Sequence, residues 1–404
     1  MVEASITTEF NQPDINSVNG FNSTFSDLDN GVIAGKSILD TSIPGPIPTF
    51  PGELPSAFTG DKGSLNNFGV PGATTADLLS PGLASNGLYA RFATAPGTST
   101  VLGDALATNP SFFTLWIGSN DILGYAISGG SGPAPLDVYS AAQFQADYGS
   151  IAGQLAGSGS EGVVINLPPV LLIPFFRAVS PTPLPLDAAT AAGANSAYLE
   201  YNGGLAAALG AGLITQEEHD LRVINFVEGE NGFVITDDEL TDVATLSGGM
   251  IPIPQFRQTN LADLVPLSAG AVLGTLADPN DPTSVFGVGV ALGDEFVLTP
   301  LEQEAVVTAR ATYCAIIAGV AESIAGVGMF DIQPLFADVA GLTPELATQL
   351  ALTPAAIAAA DGVLGLVYEG VNVAPDFSPA GIFSTDGVHP NPRGHAILAN
   401  ELIH

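Results

Sequence analysis

The run Ser111-Phe112-Phe113-Thr114-Leu115-Trp116-Ile117 is apolar, of strand length, and stops abruptly at Gly118-Ser119-Asn120-Asp121. That pattern reads as a buried β-strand with polar groups at its carboxyl end. The same logic repeats downstream. Asp137 to Leu155 has helical character, Gly157-Ser158-Gly159-Ser160 breaks it, and Gly162-Val163-Val164-Ile165-Asn166-Leu167 reads as a second buried strand halted by Pro168-Pro169. Strand, helix, strand at this spacing is a βα repeat and predicts a parallel sheet. In open α/β sheets ligands bind at the carboxyl ends of the strands, so Asn120 is a candidate to offer its amide to a developing oxyanion. Asp121 is placed to hold the same loop through backbone hydrogen bonds, although a plain turn with an Asx cap has the same composition.

Near the other end of the chain, Thr385-Asp386-Gly387-Val388-His389-Pro390-Asn391 sets a carboxylate three residues before a histidine in a Gly/Pro turn. One short turn can bring Asp386 beside the His389 imidazole, fixing its tautomer so that the other ring nitrogen acts as a base. A serine hydroxyl needs such a base to become a nucleophile, and the base needs a carboxylate to orient it and stabilise the imidazolium. Asp-Gly and His-Pro are also ordinary loop dipeptides, so the pair alone is compatible with a surface turn.

A third segment, Asn66-Asn67-Phe68-Gly69-Val70-Pro71-Gly72-Ala73-Thr74-Thr75-Ala76-Asp77-Leu78-Leu79, reads as a short strand, a glycine turn and a helix start capped by Thr74 or Thr75. At Gly72 a bare backbone N–H allows close approach of an acyl oxygen.

Taken in order, Asn66 to Thr74, Gly118 to Asp121 and Asp386 to Asn391 resemble blocks II, III and V of the SGNH, or GDSL-type, hydrolases. Asn109 to Gly118 and Phe296 to Glu302 add a likeness to long SGNH proteins of bacterial envelopes. The resemblance implies a three-layer, doubly wound, flavodoxin-like α/β fold. Its sheet would be mostly parallel, with helices on both faces and a large insertion. It further implies serine ester hydrolysis, with Asp386 and His389 completing a triad and Gly72 and Asn120 completing an oxyanion hole. No cofactor or metal follows from it, and the substrate would be a small ester, an acylated carbohydrate or a lipid.

Block I of that family, which supplies the nucleophile from a strand near the amino terminus, has no clear match. The nearest segment is Val32-Ile33-Ala34-Gly35-Lys36-Ser37-Ile38-Leu39-Asp40, which makes Ser37 a candidate. Lys36 stands where the family has an acidic residue or Asn, and no strong strand precedes it. Glu3 to Pro13 reads as a helix end and loop, and Leu402-Ile403-His404 ends within a helix pattern. The expectation is therefore a nucleophile encoded ahead of Met1, in a chain cut at both ends; the alternative is a non-catalytic relative that binds acyl or carbohydrate ligands.

Because blocks at 66–79, 118–121 and 386–389 must meet in one site, residues 1–404 are read as a single domain, with approximately 182–299 as an insertion shaping the substrate cleft. In that region Arg222 to Val227 and Gly232 to Thr236 are expected to pair as a hairpin across Glu228 to Asn231. A helix near 302–324 and a strand at Gly328 to Ile332 return to the core. The net charge of −33, from 41 acidic against 8 basic residues, disfavours nucleic acid and anionic membrane surfaces as partners, and fits a secreted or envelope protein. No apolar run of membrane-spanning length and no signal peptide is visible. Cys314, the single cysteine, is expected as a core thiol, which excludes intrachain disulfides. His219 lies in a polar run and is expected to be solvated, and His395 is expected to support the last helix.

Overall fold

In the computed structural model, which describes residues 10–13, 17–27, 30–39, 46–340, 342, 365–368, 370–378 and 380–403, the first elements are two short antiparallel pairs. Strand β1 (Asn22–Asp27) pairs with β2 (Val32–Ala34), and β3 (Ser37–Leu39) pairs with β4 (Pro46–Pro48). Of the loop expected over Glu3 to Pro13, the part before Phe10 lies outside the described residues.

The parallel sheet follows. Strand β5 (Phe112–Leu115) and a later strand flank β6 (Glu161–Ile165), and both neighbours run parallel to it. Helix α1 (Asn120–Ile127) leaves β5 through Gly118, and α2 (Ala141–Gly157) leads into β6. The helix expected from Asp137 to Leu155 is thus divided. Pro135–Val138 form one turn, Tyr139 adopts extended backbone with its hydroxyl on Asp147 Oδ2 at 2.6 Å, and Ser140 caps the new helix by accepting from Gln143 N.

Residues 182–299 hold small antiparallel pairs around an apolar cluster of their own that includes Tyr201, Leu205, Ile224 and Phe226. Strand β7 (Leu184–Leu186) pairs with β8 (Gly229–Asn231), and β9 (Val234–Thr236) pairs with β10 (Phe256–Gln258). The expected hairpin therefore does not form. The backbone amides of Ile224 and Phe226 instead donate to Asn202 Oδ1 at 3.1 Å and Asn195 Oδ1 at 2.7 Å. Side chains from neighbouring helices thus replace a strand partner, a substitution invisible to alternation patterns.

Helix α3 (Pro300–Ser323) opens with a capping box between Thr299 and Glu302 and leads to β11 (Val327–Phe330), the last strand of the sheet, whose order is β11-β6-β5. Among the described residues α3 is the one helix long and apolar enough to cross a membrane, a feature the sequence reading missed. It carries Glu302, Gln303 and Arg310 buried, and stacks Tyr313 on Phe144 of α2 with ring centroids 4.0 Å apart. Those contacts make it a core helix of this α/β fold. Cys314 rides on it with burial raising its thiol pKa, as expected of a core thiol. Helix α4 (Pro392–Ile403) closes the described chain, with His395 exposed and its N–H on Asn391 O.

Arg257 is a buried electrostatic centre of residues 182–299. Its Nε meets Asp237 Oδ2 at 2.5 Å, and Nη1 and Nη2 each meet an Asp263 oxygen at 2.7 Å. Burial opposes its charge, but the hydrogen bonds and charge of Asp263 and Asp237 hold the guanidinium ionised. Removing one partner leaves uncompensated buried charge. Arg257→Ala is expected to lower unfolding free energy by about 3–5 kcal/mol, read from the urea midpoint.

Candidate active site

The loop Ser384–His389 is shaped by one carboxylate. Asp386 Oδ1 accepts from Ser384 Oγ at 2.6 Å, Val388 N at 2.8 Å and His389 N at 2.9 Å, while Oδ2 meets His389 Nδ1 at 2.7 Å. Gly387 permits the turn: its φ is +72°, and a Cβ there would stand 2.9 Å from Phe175 N. Phe175 N in turn donates to Gly387 O at 3.0 Å, fixing the loop to the segment after β6.

These contacts set the charges. Burial pushes the Asp386 carboxyl up, yet the hydrogen bonds from His389, Ser384 and the two backbone amides outweigh it and hold the pKa below the usual carboxylate range. The Asp386 hydrogen bond raises the His389 pKa, against the opposing effect of desolvation. The Asp386 and His389 side chains stay 47% and 63% exposed. Among the described residues no hydrogen bond reaches Nε2.

The second half of the candidate site is a clamp between two loops. Asn120, at the start of α1, donates from Nδ2 to Ala73 O at 2.8 Å. That bond occupies one amide proton and leaves the other. Asp121 receives Thr75 N at 3.2 and 3.0 Å on its two oxygens and Thr75 Oγ1 at 2.9 Å. Burial raises its pKa to about 6 in spite of those donors. Thr75 is consequently no helix cap; Asn66 to Val70 is irregular rather than a strand, and Ala76–Leu79 is a single 3-10 turn. Thr74 turns to Asp77 Oδ2 at 2.7 Å. Gly72 lies exposed in the turn before Ala73, with φ +79°.

Ser37 sits beside the first half. Thr385 Oγ1 donates to Ser37 O at 3.2 Å across 348 residues. Its hydroxyl, however, accepts from Asn22 Nδ2 at 3.2 Å, and its strand belongs to an antiparallel pair rather than to the parallel sheet. Among the described residues no hydrogen bond joins His389 to a serine hydroxyl, or the Asp386–His389 pair to Asn120.

Outside this site, Asp237, Asp238 and Asp294 bring carboxylate oxygens within 4.8 Å of one another, a grouping the sequence hid because Asp294 lies far along the chain. Burial and the neighbouring Asp238 raise Asp294 to about 6. Asp237 is already held by Arg257. His219, expected in solvent, has a side chain only 19% exposed and contacts Asp220 at 2.9 Å.

Two outcomes are expected. In an NMR pH titration, His389 should show a midpoint above the ordinary histidine value of about 6.5, falling in Asp386→Asn. By linkage, the raised His389 adds stability below about pH 6.5 that is lost as pH rises through its folded pKa. Asp386 adds stability above about pH 4 that is lost on acidification. Asp121→Ala should cost about 1–3 kcal/mol in urea unfolding, because it strands the fully buried Thr75 donors.

Comparison with known families gives one match: the model described as GDSL-like Lipase/Acylhydrolase aligns with residues 32–402. Coarsely, that places the chain among ester hydrolases of small ester substrates. No curated protein and no solved structure matches the chain.

Proposed function

The chain belongs to the GDSL-like lipase/acylhydrolase family, and from that premise we propose that it hydrolyses carboxylic esters by a Ser-His-Asp mechanism with His389 as the base. One observation carries the proposal: the 2.7 Å contact of His389 Nδ1 with a carboxylate whose other oxygen is held by two backbone amides and a serine hydroxyl. Asp386 in that setting stays ionised and fixes the imidazole with its proton on Nδ1, leaving Nε2 as acceptor.

In the reaction, Nε2 takes the proton of a serine hydroxyl as its oxygen attacks the ester carbonyl. The remaining Asn120 amide proton and the Gly72 N–H receive the oxyanion, and each such donor is worth roughly 3 kcal/mol in the transition state. His389 returns its proton to the departing alkoxide. Water, activated by the same nitrogen, then releases the acid. Residues 182–299 shape the cleft around the substrate, and the acidic surface suits a secreted or envelope enzyme. The nucleophile must bring a hydroxyl within hydrogen-bond reach of Nε2; the Ser37 hydroxyl accepts from Asn22 and keeps its own proton to give.

The test is fluorophosphonate labelling followed by peptide mass spectrometry, with p-nitrophenyl acetate turnover measured on the same sample. A single serine adduct, absent in His389→Ala, is expected, and Asn120→Ala should lower kcat by about 10²–10³. A folded protein that neither labels nor turns over would overturn the proposal in favour of a non-catalytic acyl- or carbohydrate-binding relative.

A further inference from the structure

Among the described residues four donors meet the Asp386 carboxylate, and three of them share one oxygen. Val388 N, His389 N and Ser384 Oγ all reach Oδ1, while Oδ2 meets His389 Nδ1. The two amides belong to the turn that Asp386 itself opens, so they move with it. Ser384 stands on the near side of that turn, and its backbone closes it twice. Its N–H donates to His389 O at 2.7 Å, and its carbonyl accepts from Gly387 N at 3.0 Å. Just ahead of it, Phe383 is buried, meets Phe336 edge-on with ring centroids 6.2 Å apart, and accepts on its carbonyl from Asn391 Nδ2 at 3.0 Å. The Ser384 hydroxyl is therefore presented from a backbone anchored in the core.

A carboxylate turns easily about its last bond, because a torsion from sp³ to sp² carbon has broad wells. A donor from outside the turn restrains that rotation, and an O–H···O⁻ bond of 2.6 Å belongs to the short, strong class. The hydroxyl has one proton, and it goes to the carboxylate on the Nδ1 side of the imidazole rather than to Nε2. That excludes Ser384 from the nucleophile's place in this geometry and gives it a different task.

We propose that Ser384 is a positioning residue of the candidate site, whose hydroxyl fixes the plane of the Asp386 carboxylate so that Oδ2 stays on His389 Nδ1. The imidazole then keeps its proton on Nδ1 and its orientation. The catalytic consequence rests on the ester-hydrolase reading, whereas the effect on the imidazole does not.

Ser384→Ala isolates the hydroxyl, since both backbone bonds of Ser384 remain. In an NMR pH titration of the full chain, His389 should titrate closer to about 6.5 in this variant than in the parent, and Ser384→Thr, which keeps a hydroxyl, should restore the parent midpoint. With p-nitrophenyl acetate, kcat should fall by at least about tenfold with KM unchanged, the scale of one hydrogen bond to an ionised group. The acid limb of kcat/KM should move to lower pH with the His389 midpoint. Should Ser384→Ala not fold, Ser384→Val against Ser384→Thr, similar in shape but differing in the hydroxyl, makes the same comparison. An unchanged His389 midpoint, a loss of kcat without movement of the pH profile, no recovery in Ser384→Thr, or a fluorophosphonate adduct on Ser384 itself would each overturn the inference. A parent that neither labels nor turns over fails the ester-hydrolase reading alone, and the His389 midpoints still decide the role of Ser384.

Discussion

Strand β6 is the element on which the rest of the structure depends, because it alone pairs with both other strands of the parallel sheet. Its carboxyl end is also where the chain invests its buried polar contacts. Asn166 donates to Asp331 Oδ1 at 2.8 Å and accepts from Ile332 N at 2.9 Å, locking the ends of β6 and β11 together. Arg310 reaches from α3 to the carbonyls of Leu167 at 3.0 Å and Pro168 at 2.8 Å. Burial lowers the Arg310 pKa, and those carbonyls on Nε together with Gln333 Oε1 on Nη2 accept from it in place of a carboxylate. A sheet edge fixed in this way gives the following loops a rigid floor, and Phe175, held to Gly387, stands on it.

The candidate site is built from loops that carry almost no regular structure, so its geometry rests on side-chain clamps. Asp121 gathers Thr75, Asn120 gathers Ala73, and Asp386 gathers Ser384, Val388 and His389. In each case one side chain satisfies donors or acceptors that a helix or sheet would otherwise satisfy. The arrangement ties chemistry to ionisation, since the Asp386 carboxylate that shapes the loop also sets the basicity of His389.

Much of the site was legible beforehand for a local reason. Asp386 and His389 are three residues apart, and a turn closed by Gly387 brings them into contact whatever the distant chain does. Asp121 and Thr75 are 46 residues apart; the strand-to-helix turn suggested that Asp121 would hold a loop, but nothing local named Thr75 as its partner. The hairpin across Glu228 to Asn231 was misread because alternating apolar residues announce exposure on two faces, not the identity of the group that bonds the backbone.

By itself the sequence determined the α/β class, the two buried strands ahead of Gly118 and of Pro168-Pro169, and the Asp386–His389 pair, since each depends on periodicity or on contacts within a single turn. Only the tertiary structure decided that the Ser37 hydroxyl accepts from Asn22 and that α3 is a core helix. Among the described residues it also left β5 at one side of the parallel sheet, beside a cleft whose lining includes Phe112 and Trp116. Those outcomes depend on which distant groups compete for the same donor, face or edge, and such competition is settled only when the chain is packed.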